Sequence, residues 1–201
     1  MSKELDAARE LVKILEEKEK LNNVQLGTLP IGAIFKIGDW DFIVLKHENG
    51  TTKVISSNLI LKNVKFDDNS RNYGESNLKK RIEKDIEPII VKEIGKDNII
   101  EHKAELVSVD MQKEFDDVCC RVRPLTFDES REFNNLIVNP NLSDWYWTLT
   151  PWSTSERGYD YSISVVSPRG NFNFDYACFF SGYGVRPVCI LKSNIFVSKG
   201  E

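Results

Sequence analysis

Trp145-Tyr146-Trp147-Thr148-Leu149-Thr150-Pro151-Trp152 opens the stretch on which the fold is read, and Gly184-Val185-Arg186-Pro187-Val188-Cys189-Ile190-Leu191 closes it. Three of the four tryptophans and twelve aromatic side chains fall between Trp145 and Tyr183. Rings at that density require a packed core, and any left outside form an apolar patch. Residues 145–147 and 185–191 read as core strands. Residues 161–167 alternate Tyr161, Ile163 and Val165 against Ser162 and Ser164, and Pro168-Arg169-Gly170 supplies a tight turn. Phe172, Phe174 and Tyr176 then return opposite Asn171, Asn173 and Asp175. Period-two alternation on both arms predicts a hairpin. The segments left to meet a partner are 151–160 and 178–183. Trp152, Tyr159, Phe180 and Tyr183 of these segments, with Arg169 of the turn, are the candidate binding residues, while Trp145, Trp147, Phe174 and Phe179 are assigned to the core.

Outward from that stretch, Thr126-Phe127-Asp128-Glu129 has capping-box spacing. The helix it opens presents Phe133, Leu136 and Ile137 inward and ends before Pro140. Residues 104–110 and 118–122 read as short strands. Ser76 caps a helix with Leu78, Ile82, Ile86 and Ile89 on one side, and Pro88 either kinks it or starts a second turn. Residues 63–74 read as a polar loop. Trp40-Asp41-Phe42-Ile43-Val44-Leu45 is apolar on both faces after its start, as in a strand covered on two sides. Asn49-Gly50 favours a type I′ turn between that strand and 51–56, with 33–37 as a further strand. Ile195-Phe196-Val197 adds an edge. The expected class is α+β.

Residues 3–21 contain neither Gly nor Pro and read as a helix. Leu5, Ala8, Val12 and Leu15 follow heptad spacing. That seam either packs on its own domain or pairs two chains as a homodimer through a short coiled coil. The expected organisation is an N-terminal amphipathic helix, 1–23, and an α+β domain, 24–201.

A net charge of −4 gives no basic footprint, so nucleic acid is not an expected partner. No apolar run has the length of a membrane span, and the N-terminus lacks a signal peptide's apolar core. Cys119, Cys120, Cys178 and Cys189 form no C-x-x-C pair; they read as reduced, mostly buried thiols of a cytoplasmic protein. His47 and His102 sit in no metal-ligand spacing. Neither a G-x-S-x-G elbow, a P-loop nor a G-x-G-x-x-G is present. No metal, cofactor or catalytic residue is expected, and the chain is read as a non-enzyme. The enzyme alternative rests on Asp117, Asp160 or Asp175.

Four segments resemble, in order, the motifs of the domain-of-unknown-function 6273 family of Gram-positive bacteria and their phages. Gly38-Asp39-Trp40-Asp41-Phe42-Ile43-Val44-Leu45 is similar to its G-x-x-W-x-V-L strand, and Tyr73-Gly74-Glu75-Ser76-Asn77-Leu78-Lys79-Lys80-Arg81-Ile82 to its W-x-x-S-x-L-R-x-W-L helix. Tyr146-Trp147-Thr148-Leu149-Thr150-Pro151 and Gly184-Val185-Arg186-Pro187-Val188-Cys189-Ile190-Leu191 resemble its W-W-L-R-S-P and G-V-R-P-A-L elements. Thr148, Leu149 and Thr150 stand where the family usually has Leu-Arg-Ser. The closing motif also resembles the G-F-R-x-A ending of sulfatase-modifying-factor and C-type-lectin-like domains. That resemblance implies a C-type-lectin-like twisted antiparallel sheet with two packed helices and long loops. It also implies that Arg186 is structural, pairing with a buried carboxylate or capping backbone carbonyls. The expected function is a recognition module that binds a protein partner through its aromatic loops. A glycan-binding domain, a phage-encoded inhibitor of a bacterial defence or host enzyme complex, and an unrecognised enzyme are the alternatives.

Overall fold

Asn49 and Gly50 both take positive φ, 48° and 74°, as a type I′ turn requires. They join the two longest neighbouring strands of the main sheet, β3 (Trp40–Glu48) and β4 (Thr51–Ser56). In the computed structural model, Leu5 and residues 8–11, 23–177 and 182–200 are described. The other strands are β1 (Asn23–Gln25), β2 (Ile34–Ile37), β5 (Leu61–Val64), β6 (His102–Ala104), β7 (Val118–Cys120) and β8 (Val122–Arg123), followed by β9 (Tyr146–Pro151), β10 (Ser162–Val166), β11 (Phe172–Tyr176), β12 (Tyr183–Val185), β13 (Val188–Lys192) and β14 (Phe196–Lys199). Four short helices interrupt them: α1 (Asn77–Asp85), α2 (Glu87–Ile94), α3 (Phe127–Glu132) and α4 (Asn134–Ile137). The fold is α+β and mostly sheet.

A seven-stranded antiparallel sheet runs β1-β14-β2-β3-β4-β13-β8, and a five-stranded sheet runs β11-β10-β9-β12-β5 with β12 parallel to β9. Phe42 and Val44 face a core shared with α1, α2 and the small sheet, whereas Ile43 and Leu45 face a second core under α3 and α4. The strand is thus covered on both sides, as its unbroken apolar run predicts. A β-bulge between Val44 and Lys46 accommodates the extra residue.

Several local expectations are corrected. Ile90, not Ile89, continues the buried row of Leu78, Ile82 and Ile86. Pro88 sits in the first turn of α2, and the buried row keeps a four-residue step across the junction of the two helices. The 63–74 loop begins with the end of β5, whose Asn63 takes a φ of 53°. Residues 105–110 are not a strand, because Asp117 and Gln112 hold their backbone N–H groups in a turn that ends at Met111. Ser162 and Ser164 are as buried as Ile163 and Val165. Their hydroxyl-bearing face is matched by β9, where Ser164 Oγ meets Thr148 and Thr150. The 185–191 strand is two strands, because Arg186-Pro187 carries the chain from the small sheet to the large one. Nor is 195–197 an edge, since β14 lies between β1 and β2.

At that crossover Arg186 is 1% exposed. Among the described residues no carboxylate meets it. Its Nε donates to Ser56 O at 2.9 Å, and Nη1 donates to Ile137 O at 2.6 Å and to Tyr146 Oη at 3.3 Å, with the guanidinium over the Tyr146 ring. Of the two roles that the resemblance allows, the structure shows the carbonyl cap. Burial pulls its pKa below the usual guanidinium value. Next to it, Gly184 has no room for a side chain: a Cβ there would lie 2.5 Å from Leu59 Cδ1.

Leu5, Ala8 and Leu11 are helical and exposed, while Val12 and Leu15 of the expected seam lie outside the described residues. Cys120 and Cys189 are buried free thiols, Cys119 is exposed on β7, and Cys178 lies outside the described residues. Among the described residues, no helix is long and apolar enough to cross a membrane.

Candidate functional site: a row of rings beside a charged cavity

The capping box forms as its spacing predicts, with Thr126 Oγ1 accepting from Glu129 N–H and Glu129 Oε2 accepting from Thr126 N–H. It fixes the first residue of α3, Phe127, over the exposed end of the small sheet. There Phe127 meets Phe172 at 5.1 Å and Trp152 at 6.3 Å between ring centroids. Trp152 meets Phe174 at 4.9 Å, and Phe174 meets Tyr159 at 5.7 Å. The five rings form one continuous row, each half-buried. The Arg131 guanidinium stacks over Phe127, 5.7 Å from its centroid.

The backbone beside this row is closed to strand addition. Ala177 N–H donates to Tyr161 O, so in β11 the N–H groups of Phe174 and Tyr176 point away from β10. Each is taken by the preceding side chain, Asn173 Oδ1 at 2.9 Å and Asp175 Oδ1 at 2.6 Å. Edge donors satisfied in this way do not template another strand.

On the other side of Phe127 lies a cavity of about 300 Å³. Its floor is a charge cluster drawn from four elements. Arg123 of β8 makes a bidentate pair with Glu129, Nη1 to Oε2 at 2.6 Å and Nη2 to Oε1 at 2.7 Å. Lys53 of β4 reaches Glu129 Oε1 at 2.5 Å. Arg123 Nε donates to His102 Nε2 at 2.8 Å, which makes that nitrogen an acceptor and places the ring proton on Nδ1, 3.2 Å from Ile100 O. Burial, then the neighbouring guanidinium, lowers the His102 pKa to about 4. Burial alone would raise the Glu129 carboxyl; the hydrogen bonds and charge of Arg123 and Lys53 outweigh it and hold the group well below the usual carboxylate range. The Cys120 thiol, buried on β7, is pushed up to about 11.

The sign of the His102 shift makes a prediction. The unfolded imidazole, with a pKa near 6.5, binds a proton that the folded ring refuses down to about pH 4. Stability is therefore complete above the unfolded value and falls as the pH drops from 6.5 towards 4. His102→Gln should flatten that part of the pH–stability curve by roughly 2–3 kcal/mol between pH 7 and pH 4. Urea melts at stepped pH values check it, and parallel curves for both proteins would refute it.

A third cluster ties loops together. Arg71, 2% exposed, donates to Ser153 O at 2.5 Å, to Asp160 O at 3.0 Å and to Ser155 Oγ at 3.1 Å, and it pairs with Glu114. Asp110 accepts from Ser108, Ser153 and Arg157. These bonds hold 151–160 in place beneath Trp152.

Of the candidates from the sequence, Trp152 and Tyr159 are in the row. Arg169 is exposed at the turn between β10 and β11, and Phe180 lies outside the described residues, as does Phe179. Tyr183 is spoken for: its hydroxyl donates to Asp175 Oδ2 at 2.7 Å, and its ring packs edge-on against Trp147 at 4.8 Å. Trp147 is fully buried, and Trp145 is half-buried against the same core. Phe174 is not core but part of the row. Phe127, Phe172 and the cavity cluster escape a reading by motif; the one visible signal is Arg123 in an otherwise apolar Val122–Leu125 run. Asp117 is held by Lys103 and Lys113, Asp175 by Tyr183, and Asp160 is exposed, so the three carboxylates of the enzyme alternative have separate surroundings. Among the described residues no group of three or more His, Cys, Asp or Glu is placed to hold a metal ion. No family model, curated protein or solved structure matches the chain.

Proposed function

We propose that this chain is a non-catalytic recognition module that docks a protein partner on the row Phe172–Phe127–Trp152–Phe174–Tyr159. The observation that carries the reading is the row itself: five rings in mutual contact, half-exposed, on a face whose strand edge is sealed. Trp, Tyr and Arg dominate binding energy at protein interfaces, and Trp152 and Tyr159 belong to this row while Arg131 stacks on its Phe127. The rings meet mostly at steep angles, up to 86° for Tyr159 on Phe174. That leaves ridges and notches suited to protein side chains, where a sugar ring stacks best on one flat face. The resemblance to the domain-of-unknown-function 6273 family and to lectin-like domains agrees with this reading, since a sheet with long loops is a scaffold for recognition.

The test is a comparison of the wild type with Trp152→Ala. Half-buried, Trp152 should cost less than half of the roughly 3–5 kcal/mol that truncating a fully buried ring costs, so the variant stays folded. A protein retained from a Gram-positive bacterial lysate by the wild type should be lost by the variant, with affinity down at least about tenfold. Retention of cell-wall glycan alone would move the reading to the glycan alternative. Equal capture by both proteins would end it.

A further inference from the structure

The cavity floor carries one more positive charge than it neutralises. Lys53 and Arg123 bring two, Glu129 removes one, and His102 is neutral because its Nε2 accepts from Arg123. Glu129 is saturated, taking two donors from Arg123, one from Lys53 and the Thr126 N–H. Arg123 is nearly so, since its other bonds go to His102 and Pro124 O. Lys53 is different: its side chain, 22% exposed, lines the cavity, and its ammonium gives one N–H to Glu129 and lies 5.8 Å from the Phe133 ring centroid, which leaves a donor for a ligand. Thr150 Oγ1 accepts from Phe127 N–H and lines the same space, so its own proton is left to donate. Phe127 and Ile190 add apolar wall. Exposed Lys103, Glu105 and Asp128 also line the cavity; Lys103 pairs with Asp117 and Asp128 with Arg131.

We propose that this cavity binds the carboxylate of a small organic acid or of an acidic side chain, with Lys53 as its cationic partner and Thr150 as a donor. A single negative charge balances the floor; a phosphate dianion would overshoot it. The volume, about 300 Å³, is at the small end of ligand sites and matches an acid of a few carbons. The proposal is independent of what the ring row binds.

With only two histidines in the chain, the His102 ring gives an assignable NMR signal beside the site. Titration of the whole chain with acetate, butyrate, inorganic phosphate and a Gly-Glu-Gly peptide, each against sodium chloride at equal ionic strength, should shift that signal saturably for the carboxylates. Binding should be at least tenfold weaker for phosphate, and Lys53→Met should weaken carboxylate binding at least tenfold while Lys53→Arg keeps it. Tighter binding of butyrate than of the peptide would assign the site to a free acid, and the reverse order to a side chain. The wild-type comparison with chloride decides the matter even if a variant fails to fold: shifts no larger than those from chloride overturn the proposal, as do equal shifts in Lys53→Met.

Discussion

Glu129→Ala should lose about 3–5 kcal/mol of unfolding free energy, because it strands a buried guanidinium. Arg123 is 3% exposed, and both of its terminal nitrogens close on Glu129. Burial opposes the Arg123 charge, and the bond to Glu129 more than restores it, raising its pKa. Remove the carboxylate and Arg123 and Lys53 face each other with nothing between them. The same substitution deletes the return half of the capping box, worth on the order of 1 kcal/mol within that total. Chemical denaturation measures the loss, and a change below about 1 kcal/mol would show that the cluster is solvated. Arg123→Leu combined with Glu129→Leu should recover most of it, since the cost lies in breaking the pair rather than in lacking it. The pH dependence has a definite sign. The folded Glu129 carboxyl stays ionised below the unfolded value near 4.3, so its contribution is present above that pH and lost as the pH falls further.

Trp147→Ala should cost a comparable amount, about 3–5 kcal/mol. The ring has no exposed surface, meets Phe66 edge-on at 5.7 Å and Tyr183 at 4.8 Å, and donates from Nε1 to Val64 O at 2.7 Å. Truncation opens a cavity where β9, β12 and β5 meet and leaves a buried carbonyl without its donor. Trp147→Phe separates the two effects: it fills most of the space and should lose roughly 1–3 kcal/mol, the cost of an unmet buried polar group. Urea midpoints at constant slope check both variants. Equal losses in the two would show that packing contributes nothing beyond the hydrogen bond.

The local rules read well along this chain where both partners of an interaction lie within a few residues. The Asn49-Gly50 turn, the Ser76 cap, the Thr126–Glu129 box and the two-sided β3 are all legible, because φ preferences, side-chain reach and strand pleating act over two to four positions. Phase is less secure. Steps of three and of four residues both stay on one helical face, so periodicity alone does not choose between Ile89 and Ile90, and packing buries Ile90. The hairpin of β10 and β11 is legible as a hairpin but not in its burial. Ser162 and Ser164 read as solvent-facing, yet both are buried, and Thr148 Oγ1 and Thr150 O, sixteen and fourteen residues upstream, take the place of water as partners of the Ser164 hydroxyl.

Trp152 and Tyr159 stand out as aromatic residues next to small or polar ones, and both lie in the row. Phe174, read as core from its alternation, is in the row too, because no element among the described residues covers β11 on that side. Phe127 reads as the first residue of a helix and nothing more. Arg186 shows how a motif can announce a constraint without naming its partner: an arginine in an apolar strand must bond to something, and only the meeting of β4, α4 and β9 makes that something Ser56 O, Ile137 O and Tyr146 Oη.

By itself the sequence determined the class of the fold, the turns and caps, the strand buried on both sides and the aromatic character of the C-terminal third. Each follows from periodicity and short-range chemistry. Tertiary structure alone decided which rings meet, which serines are buried and where Arg186 caps. It alone assembled the cavity floor, where Lys53, His102, Arg123 and Glu129 come together across as many as 76 residues of chain. Such contacts depend on the order of strands in a sheet, and a pattern of period two records which face a residue is on but not which strand lies beside it.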